Sequence, residues 1–597
     1  MVWKDTNRQM LKGTFIRQNP DPKRTILRSI SSSKHRNWRP PGPIDPYSLC
    51  VFVLIAFAIT IRLLLISDWP VLNSDEGTMG LMALHIIKQG KIPLFFYGQG
   101  YVGSLEALLA SPLFLLFGAS RFTLRLGNVL LYTFFLLIMY KLTSILFSKR
   151  LALFTLLVLC FGSDGVLSLQ LSATGGHPDM LCVGSGLLLY SLILARSAHE
   201  TPLETGRRGR VLAYAGWGLL AGLALWIDPL LFPYVVLSGC LLWRFCFYEL
   251  RLPVALCILC CFFLPLLPGF IYDFSTPITS GTFSFLGAAY WRQGTTLVFA
   301  PPLVRIAGML FVALPRATGG TVFCNLPPVP VSSLFIPQRT PTTPCNMGQN
   351  LWGIGFFLLM LITAFMAFIT YQGLRRTRQL SIWTLEERQA AIGAWAQISL
   401  VGSPFLILLV YATTSSAGFD PWYSARYLTS TLIALPAVLW PLWKAGAALK
   451  LHQFTASIKM LGTALLLAVF LCFTLGWIQT LHLIPAAQEA ERQEADLIHT
   501  LLTRGITHIY TDYWTCDRLA FESTEHIICS VVDEHLQPGV NRYSPYTIMV
   551  KRDAYASWVL PLGSPQAQAF EQYMQITRRT NPSFTRDGYV IYLPLRP

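Results

Sequence analysis

The chain has 597 residues, of which 53% are hydrophobic and only 13% are charged, and its formal net charge is +16. Its mean hydropathy is +0.49, and its charged fraction is well below the roughly 25% that is typical of soluble domains. This composition excludes a soluble globular protein and predicts an integral membrane protein.

A basic tail, residues 1–46, precedes the first apolar run. Its first 40 residues carry ten Lys or Arg residues and two acids, and no signal-peptide-like apolar stretch lies before Tyr47. Basic tails bind nucleic acid or, beside a membrane span, set the orientation of the chain. We expect the second use, without a nucleic-acid partner, and therefore a cytoplasmic amino terminus.

About eleven apolar runs approach the roughly 20 residues needed to cross a bilayer. They are 48–67, 126–147, 151–170, 180–195, 211–227, 229–247, 253–271, 351–372, 393–413, 427–443 and 460–483. The loops rich in Lys and Arg fall on the cytoplasmic side if the short run 105–117 does not cross. We therefore predict a multi-pass protein of the plasma membrane whose carboxyl terminus is extracytoplasmic.

Three extramembrane segments lie on the predicted outer side: a first loop 68–125, a long Pro-rich loop 272–350, and a tail 484–597 that follows the membrane module 47–483. The tail reads as a small α/β domain. Its amphipathic helix ends at Gly505, its strands are "ITHIYTDY", "HIICSVV", "YTIMVKR" and "YVIYLP", and "DRLAFEST" is a candidate helix.

Nine of the thirteen cysteines lie in or beside apolar spans, where a thiol is ordinarily a small core group. The other four fall in outer segments, where an oxidising compartment allows disulfides. The candidate pairs are Cys324 with Cys345 and Cys516 with Cys529.

The first outer loop places two acids together, in "NSDEGTMGLMALHIIKQG". The segment 75–89 predicts a helix that is capped by Ser74 and ends at Gly90, with Asp75 and Glu76 in its first turn. These acids could simply complement the helix dipole. Alternatively, a carboxylate kept ionised at the mouth of a membrane cavity could take a proton from an acceptor hydroxyl.

Other polar residues gather at the same predicted face of the membrane. "SATGGHPDM" offers His177 and Asp179, "LALWIDPLLFPY" offers Asp228, and "GFDPWYSARYLTS" offers Tyr423 and Arg426. Each has an ordinary explanation, such as a polar turn, a helix cap or an arginine that snorkels to the headgroups. Because the spans are otherwise nearly free of charge, their convergence predicts a site.

The chain resembles the membrane glycosyltransferases of the GT-C fold, and within them the protein mannosyltransferase and aminoarabinose transferase group. The resemblance rests on "SDEG", on "G-x-G-Y-x-G-S-L-E", and on "FGAS-x-x-x-L-R-L-G-N" at 117–128. "FSKRLAL", "HPDM" and "ARYL" agree more loosely. It covers about residues 48–443. It implies a mostly α, polytopic membrane fold.

The resemblance also implies a reaction, in which a hexose or pentose moves from a polyprenyl phosphate to a protein, glycan or lipid hydroxyl, with inversion. Asp75 would be the general base and Arg426 would stabilise the leaving phosphate. The remaining candidates would bind substrate: Glu76, Tyr97, Gln99, Tyr101, Glu106, His177, Asp179, Asp228 and Tyr423. The group's cationic Lys-Pro is replaced here by "YVGSLE", and Arg121, Arg125 or Arg292 could substitute for it.

Two questions stay open at this stage. Paired carboxylates would permit a divalent cation, with Glu76 and Asp179 as ligands, but their spacing does not require one. A transporter or lipid flippase is the alternative function, although such proteins place ionisable groups near the bilayer midplane and are often built from repeats. A non-catalytic assembly protein would tolerate changes at Asp75, whereas an enzyme would not.

Overall fold

The structure, a computed structural model, describes residues 46–198, 207–275, 300–323, 344–377, 383–447, 453–578 and 581–594. The basic tail up to residue 45, most of the long outer loop, Arg292, Cys324 and the side chain of Cys345 lie outside the described residues. The chain divides into two compact units, Met1–Leu49 and Cys50–Pro597. The second unit contains both the membrane helices and the C-terminal domain.

Ten helical segments of the described chain are long and apolar enough to cross a membrane, or eleven if one bent pair counts as a span. The protein is therefore a multi-pass membrane protein, as predicted. The helices of this part are α1 Pro46–Leu65, α2 Ser74–Gln89, α3 Leu105–Phe117, α4 Arg121–Leu146, α5 Lys149–Cys160, α6 Asp164–Leu171, α7 His177–Ser197, α8 Arg207–Ile227, α9 Phe232–Cys246, α10 Leu252–Ser275, α11 Pro302–Gly308, α12 Leu314–Thr318, α13 Pro344–Thr377, α14 Leu385–Thr413, α15 Ser416–Phe419, α16 Leu435–Ala447 and α17 Gln453–Leu481. Shorter 3-10 and π turns at Pro229–Leu231, Met309–Ala313, Gly320–Phe323 and Ser424–Ala434 connect some of them.

The predicted third span, 151–170, is not one straight helix. It consists of α5 and α6, which meet at 87°, and the break exposes carbonyl groups at the end of α5. The buried guanidinium of Arg62 donates to the carbonyls of Leu159 and Cys160 at 3.1 and 3.0 Å, and to Gln170 Oε1 at 2.7 Å. An arginine inside the first span thus compensates for the break in the third.

The first outer loop contains the predicted helix, α2, with one correction at its start. Asn73, not Ser74, is the N-cap, because its side chain accepts from the backbone N–H of Glu76 at 2.9 Å. Gly90 ends the helix at φ 65°, as expected of a glycine C-cap. Helix α3, the short run predicted not to cross, has 13 residues.

The C-terminal domain is α/β, as predicted. Its elements are α18 Ile484–Thr503, β1 His508–Thr511, α19 Tyr513–Glu522, β2 Ile528–Val531, α20 Ser544–Arg552, β3 Ser557–Pro561, α21 Pro565–Thr577, β4 Ser583–Arg586 and β5 Tyr589–Tyr592. The sheet has the strand order β2-β1-β3-β5-β4. Strand β1 is parallel to β2 and β3, whereas β5 pairs antiparallel with β3 and β4.

The strand predicted at "YTIMVKR" is wrong, because these residues belong to α20. Tyr546 and Val550, four residues apart, are buried, whereas Ile548 and Met549 between them are exposed. That is the period of a helix rather than the alternation of a strand. Lys551 and Arg552 in the last turn suit the negative end of the helix dipole.

The first outer loop and the C-terminal domain share one hydrophobic core. Met79 and Leu81 of α2 and Phe114 of α3 belong to the same buried cluster as Phe521 of α19 and Ile591 of β5. The C-terminal domain is therefore packed on the loop that carries the acidic pair, and its residues reach the region of Asp75.

Candidate active site

Asp75 lies in the first turn of α2 and is the centre of a network of ionised groups. Its Oδ2 accepts from the guanidinium of Arg426 at 3.1 Å, and its Oδ1 accepts from Arg542 Nη2 at 2.9 Å. The hydroxyl of Tyr513 also donates to Oδ1. The carboxylate of Asp75 is thus held between the membrane module, which supplies Arg426, and the C-terminal domain, which supplies the other two residues.

Arg542 is itself fixed by several contacts. It donates to the hydroxyl of Tyr513 from Nε at 2.9 Å and from Nη2 at 2.6 Å. The amide of Gln99, with its oxygen toward the guanidinium, accepts at 3.0 and 3.1 Å. The guanidinium also lies 5.0 Å from the ring centroid of Phe96. A side chain held by this many partners has a defined position.

Close packing of α19 against α2 brings the C-terminal domain to Asp75. A Cβ at Gly77 would lie 2.5 Å from the carbonyl oxygen of Asp517, and one at Gly80 would lie 2.5 Å from the ring of Phe521. The hydroxyl of Thr78 donates to Asp517 Oδ2 at 2.7 Å. The two glycines of α2 are therefore required by the closeness of the two helices.

A second polar cluster joins the other end of α2 to the C-terminal domain. Glu525 accepts from Lys88 at 2.7 Å and from the Tyr546 hydroxyl at 2.7 Å, and it lies 2.8 Å from His85 Nε2. Burial raises the pKa of Glu525, but its hydrogen bonds from His85, Lys88 and Tyr546 outweigh this and lower the pKa to about 2. Tyr97 belongs to this cluster, since its hydroxyl lies 2.8 Å from His85 Nδ1.

A small polar cavity opens beside Asp75, with a volume of about 40 Å³. It brings together six of the sequence-predicted residues, which come from the first outer loop and from three other segments of the chain. These are Asp75, Gln99, Tyr101, His177, Asp228 and Arg426. Tyr411, Thr414 and Tyr427 also line it; Tyr427 follows Arg426 directly in the segment "SARYL", whereas Tyr411 and Thr414 were not predicted.

Glu76, predicted to bind substrate or a metal ion, faces the protein interior. Arg125 donates to both of its carboxylate oxygens, each at 2.7 Å, and both side chains are fully buried. The backbone N–H of Ala173 donates to the same carboxylate at 3.1 Å. The geometry therefore gives Glu76 the contacts of a structural ion pair and places it outside the lining of the polar cavity.

Glu106 and Asp179 lie behind the cavity lining. Glu106 Oε2 accepts from the backbone N–H of Gly175 at 3.1 Å, and burial followed by the proximity of Asp179 raises the pKa of Glu106. Neither oxygen of Asp179 has a hydrogen-bond partner among the described residues. Tyr423 also lies outside the lining, and its side chain is 41% exposed.

The electrostatics distinguish two carboxylates of the polar cavity. Burial raises the pKa of Asp75, but the charges of Arg426 and Arg542 and the hydrogen bond from Tyr513 outweigh it, and the net shift is downward. Burial raises the pKa of Asp228 to about 7, against smaller opposing effects from its bond to the Leu230 N–H and from Arg426. Asp75 is therefore the more firmly ionised of the two.

An apolar cavity of about 460 Å³ adjoins the polar one and shares Tyr101, Leu230 and Val410 with it. Its other lining residues belong chiefly to α8, α9, α10 and α14, with Phe95 from the first outer loop. The two neighbouring cavities thus place a charged lining beside an apolar one.

Of the three predicted cationic substitutes, Arg292 lies outside the described residues, and Arg121 and Arg125 do not line the polar cavity. Arg121 pairs with Glu491 at 3.2 Å and Glu522 at 3.3 Å, while Arg125 pairs with Glu76. Arg426 and Arg542 are the cations at Asp75. Sequence reasoning missed Arg542 and Tyr513, and their local sequences, "NRYSPY" and "TDYWTC", contain no motif that would have singled them out.

Glu76 and Asp179, the residues predicted as metal ligands, lie outside the group of closely spaced candidate ligands found among the described residues. Within the described residues, the group of three or more candidate ligands with atoms inside 4.8 Å is Cys516, Asp517 and Cys529. The two cysteines form a disulfide, as predicted, so their sulfurs are not available as thiolate ligands. The carboxylate of Glu76 is already paired with the guanidinium of Arg125.

Comparison with known proteins identifies the fold. No protein-family model matches the chain, and no curated protein matches it by sequence. Among solved structures it is similar to ArnT from Cupriavidus metallidurans bound to undecaprenyl phosphate, with a TM-score of 0.51 and 12% identity over 91% of this chain and 98% of that one. The apo state of the same ArnT matches with a TM-score of 0.50 and 13% identity, covering 92% and 99%.

An archaeal structure shows the same likeness. The Archaeoglobus fulgidus oligosaccharyltransferase tethered to an acceptor peptide matches with a TM-score of 0.51 and 12% identity, over 92% of this chain and 74% of that one. ArnT and this oligosaccharyltransferase are both GT-C glycosyltransferases. At such low identity the likeness shows the fold alone, and the chain has the GT-C fold.

Proposed function

We propose that this GT-C-fold protein is a glycosyltransferase that moves a sugar from a polyprenyl phosphate to an acceptor hydroxyl at the outer face of the membrane. The observation that carries the proposal is the pair of adjoining cavities. Asp75 and Arg426 lie on the polar one, and the apolar one opens between membrane helices. A lipid phosphate sugar has the matching chemistry, because its isoprenoid is apolar and its phosphate is anionic.

In this proposal the donor phosphate pairs with Arg426, and the sugar occupies the polar cavity near Tyr101 and Gln99. The present cavity of about 40 Å³ is too small for a sugar, so its lining must open when the donor enters. Movement of Arg426 from Asp75 to the phosphate supplies part of that opening. It also frees Oδ2 of Asp75 for the acceptor hydroxyl.

The chemical step is a direct displacement at the anomeric carbon. Asp75 takes the proton of the acceptor hydroxyl, the acceptor oxygen bonds to the anomeric carbon, and the bond from that carbon to the phosphate oxygen breaks. The bonding electrons leave with the polyprenyl phosphate, and Arg426 stabilises the charge that develops there. A single displacement inverts the anomeric centre, and the proton on Asp75 is afterwards released to solvent.

The site residues take different parts in this scheme. Tyr101, Gln99 and His177 are proposed to contact the sugar, and Asp228 to contact a donor or acceptor hydroxyl. Glu76 is proposed to fix the loop through Arg125. The site and the C-terminal domain are proposed to be extracytoplasmic, so that acceptors arrive from outside while the donor enters laterally from the bilayer.

The test is sugar transfer in proteoliposomes with a panel of polyprenyl phosphate hexoses and pentoses. Asp75→Asn keeps the shape of the side chain and removes its charge, and a general base is worth about 10²–10⁴ in rate. We expect transfer to fall by that factor, while Glu534→Gln, which changes an exposed acid of the C-terminal domain, behaves as wild type. Wild-type turnover that persists in Asp75→Asn would exclude Asp75 as the base.

The same panel tests the alternative function. Transport of the donor across the bilayer without cleavage of the sugar–phosphate bond, measured with a labelled sugar, would support a flippase and exclude the transferase. Release of polyprenyl phosphate together with a glycosylated acceptor would establish the transferase and identify the sugar.

A further inference from the structure

We infer that the C-terminal domain completes the active site, because Arg542 and Tyr513 hold one oxygen of Asp75 and present the other to the cavity. This inference rests on the proposed function, since it describes how the base of that reaction is positioned. Arg542 and Tyr513 are positioning residues: they act on the substrate through Asp75.

The two oxygens of Asp75 have separate partners. Oδ1 is held by Arg542 and Tyr513, neither of which lines the polar cavity. Oδ2 is held by Arg426, which does line it and whose side chain is 32% exposed. The C-terminal domain therefore anchors the carboxylate from behind, and Oδ2 is the oxygen on the cavity side.

The charges of Asp75 and of the two arginines that contact it do not balance. Two guanidinium groups face one carboxylate, so the three side chains together carry one unbalanced positive charge. A phosphodiester-linked sugar donor carries one negative charge, which would neutralise the excess when Arg426 moves to the phosphate. Arg542 remains on Oδ1, so Asp75 does not become an unpaired carboxylate at the moment when it must accept a proton.

Other titratable groups also face this region and must be considered in any titration of Asp75. They are His177, Asp228, Tyr101, Tyr411 and Tyr427 of the cavity, and Asp517 on α19. Arg542 and Arg426 are the cationic side chains that contact Asp75 directly among the described residues. Removal of Arg542 should therefore have a larger effect on the proton affinity of Asp75 than removal of a more distant charge.

The experiment is an infrared titration of the carboxyl groups of the full-length protein in nanodiscs, in which the band absent from Asp75→Asn is assigned to Asp75. An opposite charge within about 4–6 Å shifts a carboxyl pKa by about 1–3. We expect Arg542→Gln to raise the pKa of Asp75 by an amount of that order. Arg542→Lys, which keeps the charge, and Arg552→Gln, an exposed arginine of the same domain, should leave it nearly unchanged.

Tyr513→Phe provides a second variant that keeps both arginines and loses only the hydroxyl, and it should give a smaller upward shift. If Arg542→Gln does not fold, Tyr513→Phe still decides the question. An unchanged Asp75 band in Arg542→Gln or Tyr513→Phe would overturn the inference.

The transfer assay separates the two proposals. The titration needs no turnover, so a pKa shift without sugar transfer from any donor would contradict the proposed function and not the contact. Transfer by the wild type with no titration shift in the variants would contradict the inference alone. Where both hold, the acidic limb of the pH profile of kcat/KM should move to higher pH in Arg542→Gln and not in Arg552→Gln.

Discussion

The buried ion pair between Glu76 and Arg125 offers a sharp test of the structure, because the sequence predicts a substrate ligand at Glu76 and the fold gives it a structural partner. Arg125 also donates to the carbonyls of Ile66 at 3.1 Å and Pro70 at 2.7 Å. The pair therefore ties α4 to the start of α2, to the segment before it and, through Ala173, to the loop before α7. The perturbation is Glu76→Gln.

The expected loss of stability in Glu76→Gln follows from the burial of the ion pair. Glutamine keeps the shape of the side chain but leaves the charge of Arg125 without its partner in a site where both side chains are fully buried. Removing one member of a buried ion pair costs about 3–5 kcal/mol, so Glu76→Gln should destabilise the protein by that amount. Replacing both members by Glu76→Gln with Arg125→Met should cost less than the sum of the single variants, by about 1–3 kcal/mol.

The assay is equilibrium unfolding in mixed micelles, with the free energy of unfolding measured for the two single variants, the double variant and Glu534→Gln. The surface control should lie within about 0.5 kcal/mol of wild type. Binding of undecaprenyl phosphate is measured on the same samples below the unfolding transition. Unchanged stability of Glu76→Gln together with weakened lipid binding would refute the structural role and restore Glu76 as a ligand.

Two further predictions concern the docking of the C-terminal domain. In Gly77→Ala the new Cβ meets the backbone of Asp517 at 2.5 Å, so overpacking should cost about 1–3 kcal/mol and release the C-terminal domain to proteolysis near residue 484. The control Gly393→Ala, whose new Cβ would have no atom from outside its own helix within 4 Å, should stay as resistant as wild type. Equal protease resistance of the two variants would contradict the close packing of the helices. Glu525→Gln should destabilise the docked domain at neutral pH. In the folded protein the pKa of Glu525 is lowered from 4.5 to about 2, so its contribution to stability is complete above about pH 4.5 and is lost as the pH falls toward 2. The measurement is the free energy of unfolding of wild type and Glu525→Gln as a function of pH. A difference between the two proteins that stays constant through this range would contradict the ionised state assigned to Glu525.

Much of the membrane part could be predicted from the sequence because hydrocarbon thickness imposes a length on each span. The break in the third span could not, since the carbonyls freed between α5 and α6 are satisfied by Arg62, nearly 100 residues away. The predicted boundaries of α2 lie within one residue of the observed ones, because the helix is ended by residues next to it in the sequence, Asn73 and Gly90. The error of one residue at its start arose because Asn and Ser are both good N-caps.

In the site, likewise, some residues could be recognised from the sequence, whereas others are brought there only by the fold. Asp75, Asp228 and Arg426 could be proposed because charged residues stand out against apolar spans, and Tyr101 could be proposed from the family resemblance. Arg542 could not be proposed, because an arginine in a soluble domain is unremarkable until the fold brings it to Asp75. The helix at 544–552 was missed for another reason. Its β-branched and aromatic residues have strand propensity, but packing of the segment against the sheet favours a helix, and tertiary context of this kind overrides local propensity.

The hydrogen bond between Arg542 and Asp75 joins residues 467 positions apart in the chain. Asp75 leaves the ribosome before most of the described membrane helices, and Arg542 leaves it after all of them. A nascent chain can therefore contain every described membrane helix and still lack the partner that holds Asp75. Synthesis of the C-terminal domain is thus a condition for assembly of the site, and a chain that stops before this domain would not present a finished centre to the lipids around it.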